Sequence, residues 1–366
     1  MLHRLARAKL AAAALMLLVL LPSPGRAQAT PSLAQVIDSF AGEHEFSGTI
    51  LLRARGRTLY ARSFGLADRA FDIPAAADTR FRIASITKLF TAVLALQLVE
   101  DGRLRLDAPI RTYLPDYPGQ GADRVTVHHL LNHTSGLVQY DRISSYQEGF
   151  ANGIEQYQRP LSPAAMLQRC CSGPLARAPG TAFDYNNADY IVLGRIIERI
   201  ADRPFEAVLA ERILRPLGLD GTGMSHWDRI VPRLAPTYFF RDDTRRLVPD
   251  MPVYFENWDA AGGMYSTAAD LADFADALYG GRLIGRDMLA RMLMPGLDDY
   301  GYGLWSYTIT RGGRPHRVAK RPGSVMGANA VLYRLLDRDA TVVLLANTNR
   351  ADLDVFAQRI GDVFVR

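Results

Sequence analysis

Phe81-Arg82-Ile83-Ala84-Ser85-Ile86-Thr87-Lys88, running straight into the apolar stretch Leu89 to Glu100, is the part of the chain on which the fold turns. A serine and a lysine three residues apart at the start of a predicted long helix share one face, with Cβ atoms about 5–6 Å apart. Behind them Leu89, Phe90, Val93, Leu94, Leu96, Leu98 and Val99 make the segment apolar nearly all round, which predicts a buried helix. A serine hydroxyl is a poor nucleophile until a neighbour takes its proton, and a lysine desolvated by a buried helix can help. The chain holds three lysines, Lys9, Lys88 and Lys320, and its other forty basic residues are arginine. Lysine can give up a proton where arginine cannot, so the one titratable amine of this region stands where such chemistry wants it. The plain alternative is a surface lysine near a helix N-terminus.

Two strands are predicted before this helix, Phe46 to Ala54 and Thr58 to Phe64, joined at Arg55-Gly56-Arg57. Ahead of them Pro31 to Glu43 reads as an amphipathic helix. The N-terminus has Arg4, Arg7 and Lys9, twelve apolar residues from Leu10 to Leu21, then Pro22, Pro24 and Ala27-Gln28-Ala29. That is the pattern of a secretory signal peptide, residues 1–29, too short to span a bilayer and without a cysteine for a lipid anchor. The expected destination is the periplasm or medium, with no membrane attachment after cleavage. The signal carries four basic residues and no acidic ones, so the formal +5 of the chain falls close to neutral beyond it. Nothing there calls for nucleic acid as a partner. Cys170 and Cys171 stand side by side and read as free thiols or a strained vicinal pair, not a disulfide framework.

After Asp101-Gly102 short helical pieces alternate with Pro- and Gly-rich loops to about residue 285. Helices are predicted at Val127 to Leu131, Ser162 to Arg169, Ala188 to Ala201, Pro204 to Ile213 and Thr267 to Leu278, and no strong strand pair. Strands return at Tyr302 to Arg311, Arg314 to Arg321, Met326 to Leu336 and Thr341 to Thr348, closed by an amphipathic helix from Ala351 to Val365. Strands at both ends with a helical middle predict an α+β fold: a mostly antiparallel sheet flanked by helices, with an inserted all-helical lobe. One catalytic domain would span 30–366, its sheet lobe about 30–100 and 286–366 and its helical lobe about 101–285. The crevice between the lobes is the default site.

Two further stretches carry candidate chemistry. In the loop Pro179 to Asn187, Tyr185 and Asn187 lie two apart and would project together. A phenol near an ammonium can accept and return a proton, and an amide can orient a substrate amide. The alternative is Tyr185 as packing and Asn187 as the N-cap of the following helix. In Lys320-Arg321-Pro322-Gly323-Ser324, with Gly327 close behind, a cation could hold a substrate carboxylate or balance the lysine–tyrosine charge. An edge strand there would offer N–H groups for an extended substrate and an oxyanion hole. The alternative is a basic, blunted edge.

In their order, these three stretches resemble the serine β-lactamase and penicillin-binding-protein superfamily, closest to its class C-like branch of β-lactamase-related hydrolases, esterases and D-amino-acid peptidases. Leu130-Leu-Asn-His133-Thr-Ser-Gly136-Leu is similar to that family's L-L-x-H-T-S-G segment, and Ala261-Gly262-Gly263-Met-Tyr-Ser266-Thr267-Ala-Ala-Asp270-Leu to its G-G-x-x-S-T-x-x-D-L segment. The resemblance covers about residues 33 to 362 and implies a β-lactamase/transpeptidase-like fold. It implies Ser85 as acylated nucleophile, Lys88 as its activator, Tyr185 as general base, and Asn187 as holder of the substrate amide. It also implies an oxyanion hole from the N–H groups of Ser85 and Ser324 beside Gly323. The family has lysine or histidine where Arg321 stands. Arginine keeps the charge without shuttling a proton, and Lys320, one residue earlier, would face away on a regular strand. Pro322 removes an N–H from that edge, which argues against efficient β-lactam turnover.

The expected activity is that of a serine hydrolase acting on small esters, amides or short peptides, with D-residues or β-lactams among them, and without cofactor or metal. A non-catalytic or slowly turning-over peptidoglycan-fragment or penicillin-binding protein of the same fold is the alternative. There is no G-x-S-x-G elbow, H-E-x-x-H motif or Gly-rich phosphate loop. His133 reads as a structural histidine behind the site; a Ser-His-Asp mechanism would use it as base instead. No sequence feature specifies an oligomeric state.

Overall fold

The computed structural model describes residues 32–139, 143 and 145–365; the expected signal peptide lies outside them. Its main sheet has six antiparallel strands: β1 (Gly48–Ala54), β2 (Arg57–Phe64), β3 (Trp305–Arg311), β4 (Arg314–Val325), β5 (Ala328–Leu335) and β6 (Ala340–Ala346), in the order β3-β4-β5-β6-β1-β2. The two chain ends thus share one sheet, two strands from the first part and four from the last. β1 turns into β2 through Arg55 and Gly56, both at positive φ (49° and 72°). Such a two-residue turn matches the right-handed twist of the strands, and glycine takes it without strain.

β1 is buried along almost its whole length, so alternate side chains feed two cores. Ile50 and Leu52 point to one face, with Val342, Leu344 and the helices α1 (Leu33–Glu43) and α5 (Leu353–Val365), where Phe40 stacks on Phe356 at 3.9 Å. Leu51, Val343 and Leu345 point to the other, against α4 (Ala268–Tyr279). The predicted helix after Ser85 is α2 (Thr87–Glu100), buried on every side from Thr87 to Leu96. It lies between α4, where Phe90 stacks on Phe274 at 3.8 Å, and α3 (Asn187–Ala201). Each large apolar side chain buried this way contributes roughly 1.5–3 kcal/mol, which fixes α2 in place next to Ser85.

Two local expectations are corrected. The middle of the chain is not free of strands: Tyr238–Arg241 pairs with Arg246–Pro249 as a hairpin, and Gly223–Met224 and Met264–Ser266 form a small sheet with Phe81–Arg82. The hairpin turn, Asp242 to Arg245, has no glycine and places Arg245 at φ 55°, so the usual turn signal is missing. Second, β4 does not end at Arg321 but runs on through Pro322 to Val325. The proline is tolerated because β3 pairs with β4 only as far as Lys320, so the missing N–H belongs to an open edge. Of the two readings of the cysteines, Cys171 is disulfide-bonded, which sets aside a free thiol there. Among the described residues no helix is long and apolar enough to cross a membrane.

Candidate active site

The strand Phe81–Arg82 delivers the chain to a 3-10 turn, Ala84–Ile86, that leads into α2. Ala84 holds φ 45°, a conformation that costs a non-glycine residue energy, and the next residue, Ser85, is left half-buried. One turn on, Lys88 is fully buried, and its ammonium donates to Ser85 Oγ (3.2 Å), Asn187 Oδ1 (2.6 Å) and the Ala261 carbonyl (2.8 Å). Three acceptors match the three donors of an ammonium. The 3-10 turn running into α2 supplies the Ser85–Lys88 spacing, and α3 and the Ala261 segment supply the cage.

Tyr185 and Asn187 arrive together, as their spacing predicts, but the capping alternative falls to a neighbour. Asn186 caps α3, its side chain accepting from the Ala188 N–H at 2.9 Å, and Asn187, in the first turn, is left to face Lys88. Tyr185 donates from Oη to Ser85 Oγ at 2.8 Å, and its ring lies 4.9 Å from the Lys88 ammonium. Burial pushes this phenol up, but the charges of Arg321 and Lys88 outweigh it, so Tyr185 ionises below the range of a free tyrosine. The serine hydroxyl therefore touches both an ammonium and an acidified phenol.

On β4, Arg321 and Gly323 face this group while Lys320 points to the opposite face, where it pairs with Asp354 at 3.1 Å. The arginine is not where a substrate carboxylate could use it. It is 1% exposed and its three nitrogens are engaged: Nε donates to the Ser85 carbonyl (2.8 Å), Nη1 to Tyr300 Oη (2.7 Å) and Nη2 to Tyr185 Oη. Of the two roles open from sequence, its position fits the charge-balancing one. Gly323 lets β4 approach the Ser85 turn: a Cβ there would fall 2.3 Å from the Ile83 carbonyl oxygen and 2.9 Å from the Ser85 nitrogen. Pro322 faces its missing N–H to the open edge, and N–H groups two residues apart on a strand point the same way. The N–H of Ser324 therefore also points to that open edge. Gly327 serves packing instead, since a Cβ there would meet the Tyr238 carbonyl oxygen at 2.2 Å.

His133 is fully buried, with its ring 4.5 Å from that of Tyr185 and Nδ1 2.8 Å from Asp189 Oδ2. Asp189 also accepts from the Ser135 hydroxyl. Burial, then the charges of Lys88 and Arg321, hold His133 well below its ordinary range, and burial holds Asp189 well above its own. Burial thus disfavours the charged form of each, and the position of the pair behind Tyr185 leaves the contacts to Ser85 Oγ to Lys88 and Tyr185.

Three participants were not read from the sequence. The Ala261 carbonyl is main chain and leaves no residue signature. Tyr300 and Trp305 wall the Arg321 guanidinium, whose carbon lies 6.0 and 5.5 Å from their ring centres. The density of aromatic and glycine residues in Tyr300-Gly-Tyr-Gly-Leu-Trp305 was the available hint.

Comparison with known proteins places the chain in a family and a fold. A family model described as Beta-lactamase matches residues 33–363. Esterase EstB of Burkholderia gladioli is 38% identical over 205 residues, 52% of this chain and 50% of the esterase. The putative penicillin-binding protein PbpX of Bacillus subtilis (strain 168) is 30% identical over 272 residues, 74% of this chain and 65% of that protein. The chain thus aligns with about half to two thirds of the length of these relatives. Among solved structures, the penicillin binding protein from Bacillus halodurans superposes with a TM-score of 0.75 at 28% identity, covering 91% of this chain and 99% of that one.

Proposed function

The chain belongs to the beta-lactamase family, and from that premise we propose that it is an exported serine hydrolase working through an acyl-enzyme on Ser85. The observation that carries the reading is the position of Ser85 Oγ, 3.2 Å from the Lys88 ammonium and 2.8 Å from an acidified Tyr185 hydroxyl. Tyr185 as phenolate takes the serine proton while Oγ attacks the substrate carbonyl carbon. The N–H groups of Ser85 and Ser324 receive the negative charge that forms on the carbonyl oxygen. Collapse of the tetrahedral intermediate returns the proton through Tyr185 to the leaving group, and Tyr185 then takes a proton from the water that releases the acid. Lys88 keeps the phenolate charged and near, and Asn187 orients both the ammonium and a substrate amide.

Substrates are esters, amides or short peptides of modest size, including those with D-residues. β-Lactams rank below them, because Arg321 is occupied by Ser85 and two phenols and Pro322 leaves the strand edge one donor short. The likeness to an esterase supports the same order. The same reading makes residues 1–29 a cleaved signal and 30–366 one catalytic domain, so N-terminal sequencing of exported protein should begin at Thr30.

The test is a panel of p-nitrophenyl esters, nitrocefin, D-Ala-D-Ala peptides and D-amino-acid amides, read with wild type and Ser85→Ala side by side. Ester hydrolysis should be lost in the variant and nitrocefin should be slow in both. Unchanged hydrolysis of every substrate by Ser85→Ala refutes the mechanism. A stable adduct on Ser85 without turnover would favour a penicillin-binding role.

A further inference from the structure

Two tyrosines share the Arg321 guanidinium, and only one of them touches the nucleophile. Nη2 donates to Tyr185 Oη and Nη1 to Tyr300 Oη at 2.7 Å, while Nε is held by the Ser85 carbonyl at 2.8 Å. A guanidinium is planar with its donors in fixed directions. Two anchored nitrogens fix the plane, and the third then has one place to point. The Ser85 carbonyl alone would leave the group free to pivot about Nε. With Tyr300 as second anchor, Nη2 is delivered to Tyr185.

Tyr300 is built to hold still. It is 1% exposed, and its ring is packed by Trp305 edge-on at 4.7 Å, His133 at 5.0 Å and Phe183 at 5.2 Å. Its main chain is tied at both ends, the N–H to the Leu297 carbonyl (3.1 Å) and the carbonyl to the Gly296 N–H (3.0 Å). Burial pushes the Tyr300 phenol well up, so it remains a neutral acceptor for Nη1, whereas Tyr185, between Arg321 and Lys88, is pushed down. The charged and titratable groups around the two phenols are Lys88 from α2, Arg321 from β4, His133, and Asp189 and Tyr190 from α3.

We propose that Tyr300 is a positioning residue for acyl transfer, holding Arg321 so that its Nη2 meets the Tyr185 hydroxyl. This rests on the reading of Tyr185 as the base. It accounts for a buried arginine, and not a lysine, beside Tyr185. A side chain that cannot shuttle a proton still serves if it is a fixed cation, and a planar cation needs two anchors to be fixed.

The experiment is the pH profile of kcat/KM on a p-nitrophenyl ester for wild type, Tyr300→Phe, Arg321→Lys and the double variant, with Tyr185→Phe alongside and melting curves for each. Tyr300→Phe removes one oxygen. Its acid limb should move up by about one pH unit, with kcat/KM about tenfold lower below the limb and near wild type above it. In the Arg321→Lys background the same substitution should add nothing to the shift, because it acts through the guanidinium. An unmoved limb with an equal loss at every pH, or an equal additional shift in both backgrounds, overturns the proposal. If Tyr300→Phe does not fold, 4-fluorophenylalanine at position 300, which fills the place of the hydroxyl without a strong acceptor, carries the test. Its limb should rise by about as much as expected for Tyr300→Phe, and a limb that stays with wild type overturns the proposal. Failure of the underlying reading looks different: Tyr185→Phe would keep wild-type activity and its limb.

Discussion

Replacing Arg321 by methionine removes a buried charge while leaving an apolar stem of similar length in β4. In the native site that charge hydrogen-bonds the Tyr185 hydroxyl and lies with its central carbon 5.1 Å from the ring centre. A unit charge about 4 Å from a phenolate, at an effective dielectric constant near 20, favours the ionised form by roughly 4 kcal/mol. Lys88 remains to hold the phenolate, so about half of that, roughly 2 kcal/mol, is a safer figure; at about 1.4 kcal/mol per unit the range is about 1.5–3 pH units. Tyr185 has its folded pKa depressed, so the competent phenolate is present above the acid limb and lost below it. The Arg321→Met limb must therefore rise. Well below it, kcat/KM on a p-nitrophenyl ester should fall on the order of 30- to 1000-fold; above it, the two enzymes should converge. Arg321→Lys keeps the charge but not the three-point grip, and should shift less. An Arg321→Met enzyme whose limb stays with wild type would refute the charge-balancing role.

Other perturbations separate the remaining parts. Lys88→Met should lose at least about a thousandfold in kcat, while His133→Ala, although destabilised by about 3 kcal/mol from the buried ring it deletes, should still label with a fluorophosphonate. The reverse pattern would mean that His133 is the base. Gly323→Ala puts a methyl 2.3 Å from the Ile83 carbonyl oxygen, so β4 or the Ser85 turn must move; a loss of about 1–3 kcal/mol in chemical denaturation, with activity down more than stability requires, is expected. Burial, reinforced by Glu198, raises Asp259 to about 7, and its Oδ2 is buried with no hydrogen-bond partner among the described residues. The folded state then holds this proton more tightly than the unfolded one, so stability present below about pH 4 is lost as pH rises toward 7. Asp259→Asn should gain about 2–4 kcal/mol at pH 8 and nothing at pH 4 in urea melts; a pH-independent difference would contradict it.

Much of this was legible in the residues. The run after Ser85, apolar nearly all round, meant a buried helix, and α2 is buried on every side from Thr87 to Leu96. Strand signals at both ends meant a shared sheet, because strands left with open edges need partners. The Ser85–Lys88 and Tyr185–Asn187 spacings put the members of each pair on one side of their own segment, as local periodicity can; that the two pairs meet was implied by the family resemblance alone. What the sequence hid was set by long-range packing. Arg321 was legible as a cation on the right face, but its three partners come from three other segments. Tyr300 looked like one more aromatic in a glycine-rich turn. The Ala261 carbonyl could not be read at all, and the Tyr238–Pro249 hairpin lacked the glycine that announces such turns.

The most direct test of the account is to catch the acyl group. Wild type mixed with a p-nitrophenyl ester and quenched in acid during the first turnover should carry one acyl mass per chain, on the peptide containing Ser85. The adduct should decay at the rate of steady-state hydrolysis and be absent from Ser85→Ala. Turnover of the ester with no adduct on Ser85, or an adduct on another residue, would contradict the central claim.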